Sequence, residues 1–176
     1  MRTSRQMRRL ADALIDPIRI PVPADPEALF EALVASVSAW RGREIVVRRE
    51  TFPPGTASGL WLEAGTYDVV VVDRRAAVWH QIVILCHEVW HMCRHAEEAE
   101  AEPSPAGDGR LRPVAARTDF SLTEEQEADR FGMLMGRRLR GWLEAPRDSV
   151  YAAGDDAAEG LAGRIGAALN YRGPHR

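Results

Sequence analysis

The sequence predicts an α+β fold: a small three-stranded sheet packed on one central helix, with further helices around them. Three observations predict it. Residues 44–72 hold three short runs rich in β-branched and aromatic side chains, separated by Pro- and Gly-containing turns. Residues 79–95 pass through a long apolar stretch with no Pro or Gly, the pattern of a buried helix. Residues 25–41 and 121–143 carry apolar residues at helical spacing behind recognisable start signals. A chain of 176 residues with 45% hydrophobic side chains can bury one real core.

Taken in order, residues 3–15 form a short helix whose Arg2, Arg5, Arg8 and Arg9 read as a solvated basic face or a contact for an acidic partner. Pro17, Pro21 and Pro23 keep the following segment extended. Asp25-Pro26 is an N-cap followed by proline at the first helical position, and that helix presents Leu29, Phe30, Leu33, Val34, Val37 and Trp40 to a core. Arg41-Gly42 ends it. The strands are 44–49, 60–64 and 67–72, the last two a hairpin around Gly65-Thr66. The valine run 69–72 suits a strand buried on both faces. Asp73 is placed to cap the central helix, which should begin near Arg75–Ala77.

Beyond His95 the helix can continue a turn into the acidic run 97–102, after which residues 101–119, with their Pro and Gly, read as a mobile surface loop. Ser121-x-x-Glu124 is a capping box. The helix it opens has Ala128, Phe131, Met135, Leu139 and Trp142 on one stripe and Glu125, Asp129, Gly132 and Gly136 on another. Glycine inside a helix costs about 1 kcal/mol against alanine, so two of them imply a close neighbour, here the central helix. A last helix over 156–169 and a frayed tail from Arg172 complete the chain. The organisation is thus 1–24, an N-terminal helix and Pro-rich segment; 25–145, the main domain; and 146–176, a C-terminal helix and tail.

Net charge is −3, which argues against direct binding of nucleic acid. All 23 basic residues are arginine, read as coding bias. No apolar segment is long enough to span a bilayer and no signal peptide is visible, so a soluble, cytoplasmic protein is expected. Cys86 and Cys93 are about 10 Å apart along one helix, too far for a disulfide, and read as core thiols.

The chemistry lies in the central helix, which contains His87-Glu88-x-x-His91. Residues four apart share a helical face, so both imidazoles can reach one metal ion, and Glu88 can take a proton from a metal-bound water. The bland alternative is a surface histidine pair. Against it, His80, His87, His91 and His95 share one stripe, with only His175 elsewhere. Catalytic zinc usually takes three protein ligands and keeps a position for water. His95 lies about 12 Å along the axis from His87 and does not suit the third place. Arg94 and Glu97 stand where another protease class has its turn and third histidine. That leaves the carboxylates at 124, 125 and 127. Glu125 is preferred because Glu125-x-x-x-Asp129 puts two carboxylates on one face, Glu125 for the metal and Asp129 for the outer N–H of a ligand histidine. The alternative for Glu125 is a simple acidic first turn favouring the helix dipole. His80 and His95 flank the site as candidates for oxyanion or substrate contact.

At these residues the chain resembles the ImmA/IrrE family of metallopeptidases. The resemblance rests on strand 67–72, on His87-Glu88-Val89-Trp90-His91, and on Glu125, Ala128, Asp129 and Phe131 in register with the family's second motif, Glu-x-x-Ala-(Asn/Asp)-x-Phe. It covers about residues 25–143. Trp90 departs from the small or aliphatic residues usual there. The resemblance implies a compact zincin-like peptidase of the gluzincin type, cytoplasmic in bacteria or phages and paired with a helix-turn-helix regulator that it cleaves or inactivates. Similar small proteins are also labelled toxin components. The expected function is therefore a Zn2+-dependent endopeptidase acting on a protein partner, with an extended substrate pairing along the strand edge 59–64. The competing expectation is a non-catalytic zinc-site protein that acts by binding a regulator or as a toxin.

Overall fold

The computed structural model describes residues 2–101 and 121–144. Met1–Glu144 group as one compact unit and Ala145–Arg176 as a second; everything described belongs to the first. The expected loop, apart from residue 101, and the expected helix over 156–169 lie outside the described residues. Within them the fold is α+β, in the order α1 (Arg2–Ile15), α2 (Pro26–Arg41), β1 (Glu44–Glu50), β2 (Gly59–Glu63), β3 (Tyr67–Asp73), α3 (Val78–Ala101) and α4 (Leu122–Leu143). No described helix is long and apolar enough to cross a membrane.

Local chemistry starts and stops these elements as the sequence implies. Asp25 Oδ1 accepts the backbone N–H groups of Glu27 (3.0 Å) and Ala28 (3.2 Å) at the start of α2. Gly42 closes that helix in the left-handed region, φ 71°, where a side chain would be strained. At α4 the capping box is reciprocal: Ser121 Oγ accepts the Glu124 N–H, and the Ser121 N–H donates to Glu124 Oε2 at 2.8 Å. Asp73 behaves differently from expectation. Its carboxylate accepts the backbone N–H and the guanidinium of Arg75, and its carbonyl accepts the Ala76 N–H, so it caps a turn and α3 begins at Val78.

The sheet is mixed, in the order β1-β3-β2. β1 runs parallel to β3, with Glu44 opposite Tyr67 and Glu50 opposite Asp73. β2 runs antiparallel to β3, from Gly59 opposite Val72 to Glu63 opposite Asp68. Central β3 buries Asp68, Val70 and Val72 fully, whereas Val69 and Val71 are half-buried. One face of this strand is therefore sealed and the other only partly covered, a correction to the expectation of burial on both.

α3 contributes Ile82, Leu85, Cys86, Val89, Trp90 and Met92 to the core, with apolar residues around most of its girth because it lies between the sheet and α4. α1 belongs to the same core through Met7, Leu10, Ala11 and Leu14, and Ser36 of α2 donates a buried hydrogen bond to the Leu14 carbonyl at 2.7 Å. The segment 1–24 is thus integral to the unit that carries the site.

Candidate metal centre

Two helices and one strand build the site. α3 places His87 and His91 one turn apart, and α4 brings Glu125 to them from the other side. His87 Nε2 and His91 Nε2 are 3.1 Å apart, and the Glu125 carboxylate oxygens lie 3.4 Å from the first and 3.5 Å from the second. These three residues form a group able to hold a metal ion. His91 is buried, and that burial together with the neighbouring His87 holds its imidazole down to about 4, so its ring is neutral at pH 7 and offers a lone pair.

Close approach of the helices rests on the glycines of α4. A Cβ on Gly132 would stand 2.9 Å from the Val83 carbonyl oxygen, and one on Gly136 would stand 3.1 Å from Val83 Cγ2. The sequence expectation for these two residues holds. The choice among the acidic residues also finds a reason, since the Glu124 carboxylate is held by the Ser121 N–H and hydroxyl. Asp129, one turn beyond Glu125, sits with Oδ1 3.0 Å from His87 Nδ1, the ring nitrogen that faces away from the group.

Glu88 lies beside the histidines in the same cleft and is 8% exposed. Burial, with a smaller contribution from the Glu125 charge, raises its carboxyl to about 8. The cleft encloses about 790 Å³ between α3, α4 and β2, which is an edge strand of the sheet among the described residues. Gly59, Leu60 and Trp61 form the β2 wall, while Met133 lines the α4 side.

The remaining expectations separate. His80 is exposed and lines the cleft. It lies two helical turns, about 10 Å, before His87, a distance that suits a substrate side chain better than an oxyanion at the metal. His95 lies against β2 instead: its ring packs edge-on to Trp61 at 5.5 Å, with Nδ1 3.9 Å from Glu63 Oε2. Trp90 faces the core and packs on Phe131 at 5.4 Å, so its departure from the family pattern leaves the cleft wall unaltered. Sequence reasoning missed Gly59, whose contact with Glu88 depends on the pairing of β2 with β3.

The class this geometry defines is a protein with a His-His-Glu group close enough to hold a metal ion, on two packed helices. No family model matches the chain, and no curated protein or solved structure matches it either. The reading of the site therefore rests on its own geometry and on the two sequence motifs.

Proposed function

We propose that the protein is a zinc-dependent endopeptidase of the zincin-like type, with His87, His91 and Glu125 as ligands and Glu88 as general base. The observation that carries this reading is the convergence of two imidazole nitrogens, 3.1 Å apart, with the Glu125 carboxylate, one oxygen 3.4 Å from His87 Nε2 and the other 3.5 Å from His91 Nε2, in a cleft they share with Glu88. Tetrahedral ligation with bonds of about 2.0–2.1 Å separates donor atoms by about 3.3 Å, so two nitrogens and one carboxylate oxygen here fit zinc. When bound, zinc would supply Lewis acidity to a water and to a peptide carbonyl.

The chain's own residues account for the rest. Glu88 accepts a proton from the attacking water and returns it to the leaving amine. Its high proton affinity comes first from burial and to a smaller extent from Glu125; a cation held beside the cleft would favour the ionised carboxylate directly and offset the Glu125 charge. Asp129 accepts the Nδ1–H of His87, which fixes the tautomer with Nε2 free to ligate. The edge of β2, unpaired among the described residues, offers backbone groups to an extended peptide. The family resemblance adds the partner: a helix-turn-helix regulator, cleaved or inactivated in the cytoplasm, where the free thiols of Cys86 and Cys93 suit a reducing milieu.

The test is metal content and cleavage on one set of proteins. Wild type should carry near one zinc per chain, Glu125→Ala clearly less, and Glu88→Gln the full complement with cleavage of the partner regulator reduced about 10²–10⁴-fold. An undiminished biological effect in Glu88→Gln would instead establish a protein that acts by binding.

A further inference from the structure

Gly59 opens β2 and stands opposite Val72 of β3, its backbone held in register by the pairing of the two strands. Its φ lies outside the left-handed region, unlike Gly42 and Gly55, so nothing in the backbone requires glycine there. The requirement comes from across the cleft. A Cβ at this position would stand 2.5 Å from Glu88 Oε1, 2.5 Å from Ile84 Cγ2 and 3.3 Å from the Glu88 carboxyl carbon. Ile84 and Glu88 are one turn apart on α3, and both face the strand.

We infer that Gly59 is a positioning residue for Glu88: the bare backbone of the edge strand is the wall against which the Glu88 carboxylate rests. The two neighbours would not yield equally to a methyl group. Ile84 is β-branched and stiff in a helix, whereas Glu88 has three side-chain torsions, so the carboxylate moves first. A methyl group at 59 therefore pushes the general base out of its place, and the three atoms it would stand nearest belong to Glu88 and Ile84, none to His87, His91 or Glu125. A proton acceptor must lie within hydrogen-bond reach of its water, and displacement by about 1 Å is enough to cost about 10²-fold in rate. The consequence for rate rests on the peptidase reading; the contact itself does not.

The experiment is a cycle of four metal-free proteins, wild type, Gly59→Ala, Glu88→Ala and the double variant, compared by thermal midpoint. Gly59→Ala should lower the midpoint in both backgrounds, through the Ile84 contact they share, and by more in the presence of Glu88, so the difference between the two drops reads the Glu88 contact alone. If Gly59→Ala alone fails to fold while the double variant folds, the coupling is shown in its strongest form. An equal drop, or equal failure, in both backgrounds overturns the inference. Zinc-loaded Gly59→Ala should keep near one metal per chain and lose about 10²-fold in kcat with little change in KM. A wild type without cleavage activity would remove the peptidase reading, and the midpoints would still decide the contact.

Discussion

Two polar clusters lie one turn of α3 apart, and they are built on opposite electrostatic plans. Around His95, the acids Glu63 and Asp68 meet the cations Arg41 and Arg43. Arg41 Nε donates to Asp68 Oδ2 at 2.8 Å, Arg43 Nη1 to Glu63 Oε1 at 2.9 Å, and Arg41 also lies 5.5 Å from the centre of the Trp61 ring. That cluster neutralises itself. Around His91, by contrast, Glu88, Glu125 and Asp129 converge with two imidazoles, and no arginine stands among the described residues lining the cleft. The first arrangement matches two acids with two arginines as folded, and the second is a group close enough to hold a metal ion. A polar cluster thus points to a ligand by the charge it fails to balance, and its mere presence in a core says little.

The largest expected effect tests that contrast through folding stability. Asp68 is fully buried and the Arg41 side chain is 12% exposed, so Arg41→Ala strands a charge that only Arg43, 3.6 Å away, can partly satisfy. The cost should be about 3 kcal/mol in urea unfolding. Glu125→Ala in metal-free protein should change stability by no more than about 0.5 kcal/mol, because the side chain is 43% exposed and faces two imidazoles and the acid Glu88 with no arginine paired to it among the described residues. Comparable losses in the two variants would break the distinction between a self-sufficient cluster and one that awaits a cation.

How much of this was legible in the sequence follows from where each contact is specified. Asp25-Pro26 and Ser121-x-x-Glu124 act within a turn or two of chain, the glycines of α4 mark themselves by interrupting a helical run, and the fixed helical period also puts His87 with His91 and Glu125 with Asp129. The Arg41–Asp68 pair and the Gly59–Glu88 contact depend on strand register, which joins residues more than twenty apart through β3 and has no local mark. α1 shows a different failure. Its arginines drew the reading toward the surface, although Met7, Leu10, Ala11 and Leu14 carried the core stripe at ordinary helical spacing.

A smaller effect sharpens the comparison at the metal end alone. Asp129 is 74% exposed and meets His87 Nδ1 at 3.0 Å. Asp129→Asn keeps an oxygen within hydrogen-bond reach but removes the charge. Zinc affinity, measured by competition with a chromogenic chelator, should fall about tenfold, the low end for an outer partner of a ligand histidine, since water screens the carboxylate. Metal-free stability should barely change. A loss of stability with unchanged affinity would make Asp129 an ordinary surface acid.

The smallest effects distinguish the two glycines that hold the helices together behind the metal end. At Gly132 an added methyl meets a backbone atom, the Val83 carbonyl oxygen at 2.9 Å, so α3 and α4 themselves must part. Overpacking of about 2 kcal/mol, offset by about 1 kcal/mol of helix propensity, leaves Gly132→Ala about 1 kcal/mol less stable. Separation of the helices also draws Glu125 away from His87 and His91, so zinc affinity should fall with it. At Gly136 the methyl meets side-chain atoms at longer distances, Val83 Cγ2 at 3.1 Å and Trp79 at 3.4 Å, so a shift of a few tenths of an ångström relieves it and no backbone atom is met. Gly136→Ala should therefore be near neutral in stability and leave zinc affinity untouched. Chemical denaturation and zinc titration of the pair would show whether the backbone distance between the two helices sets the metal site. Equal affinities in both variants would mean that Glu125 reaches the histidines by its own flexibility, whatever the helix spacing.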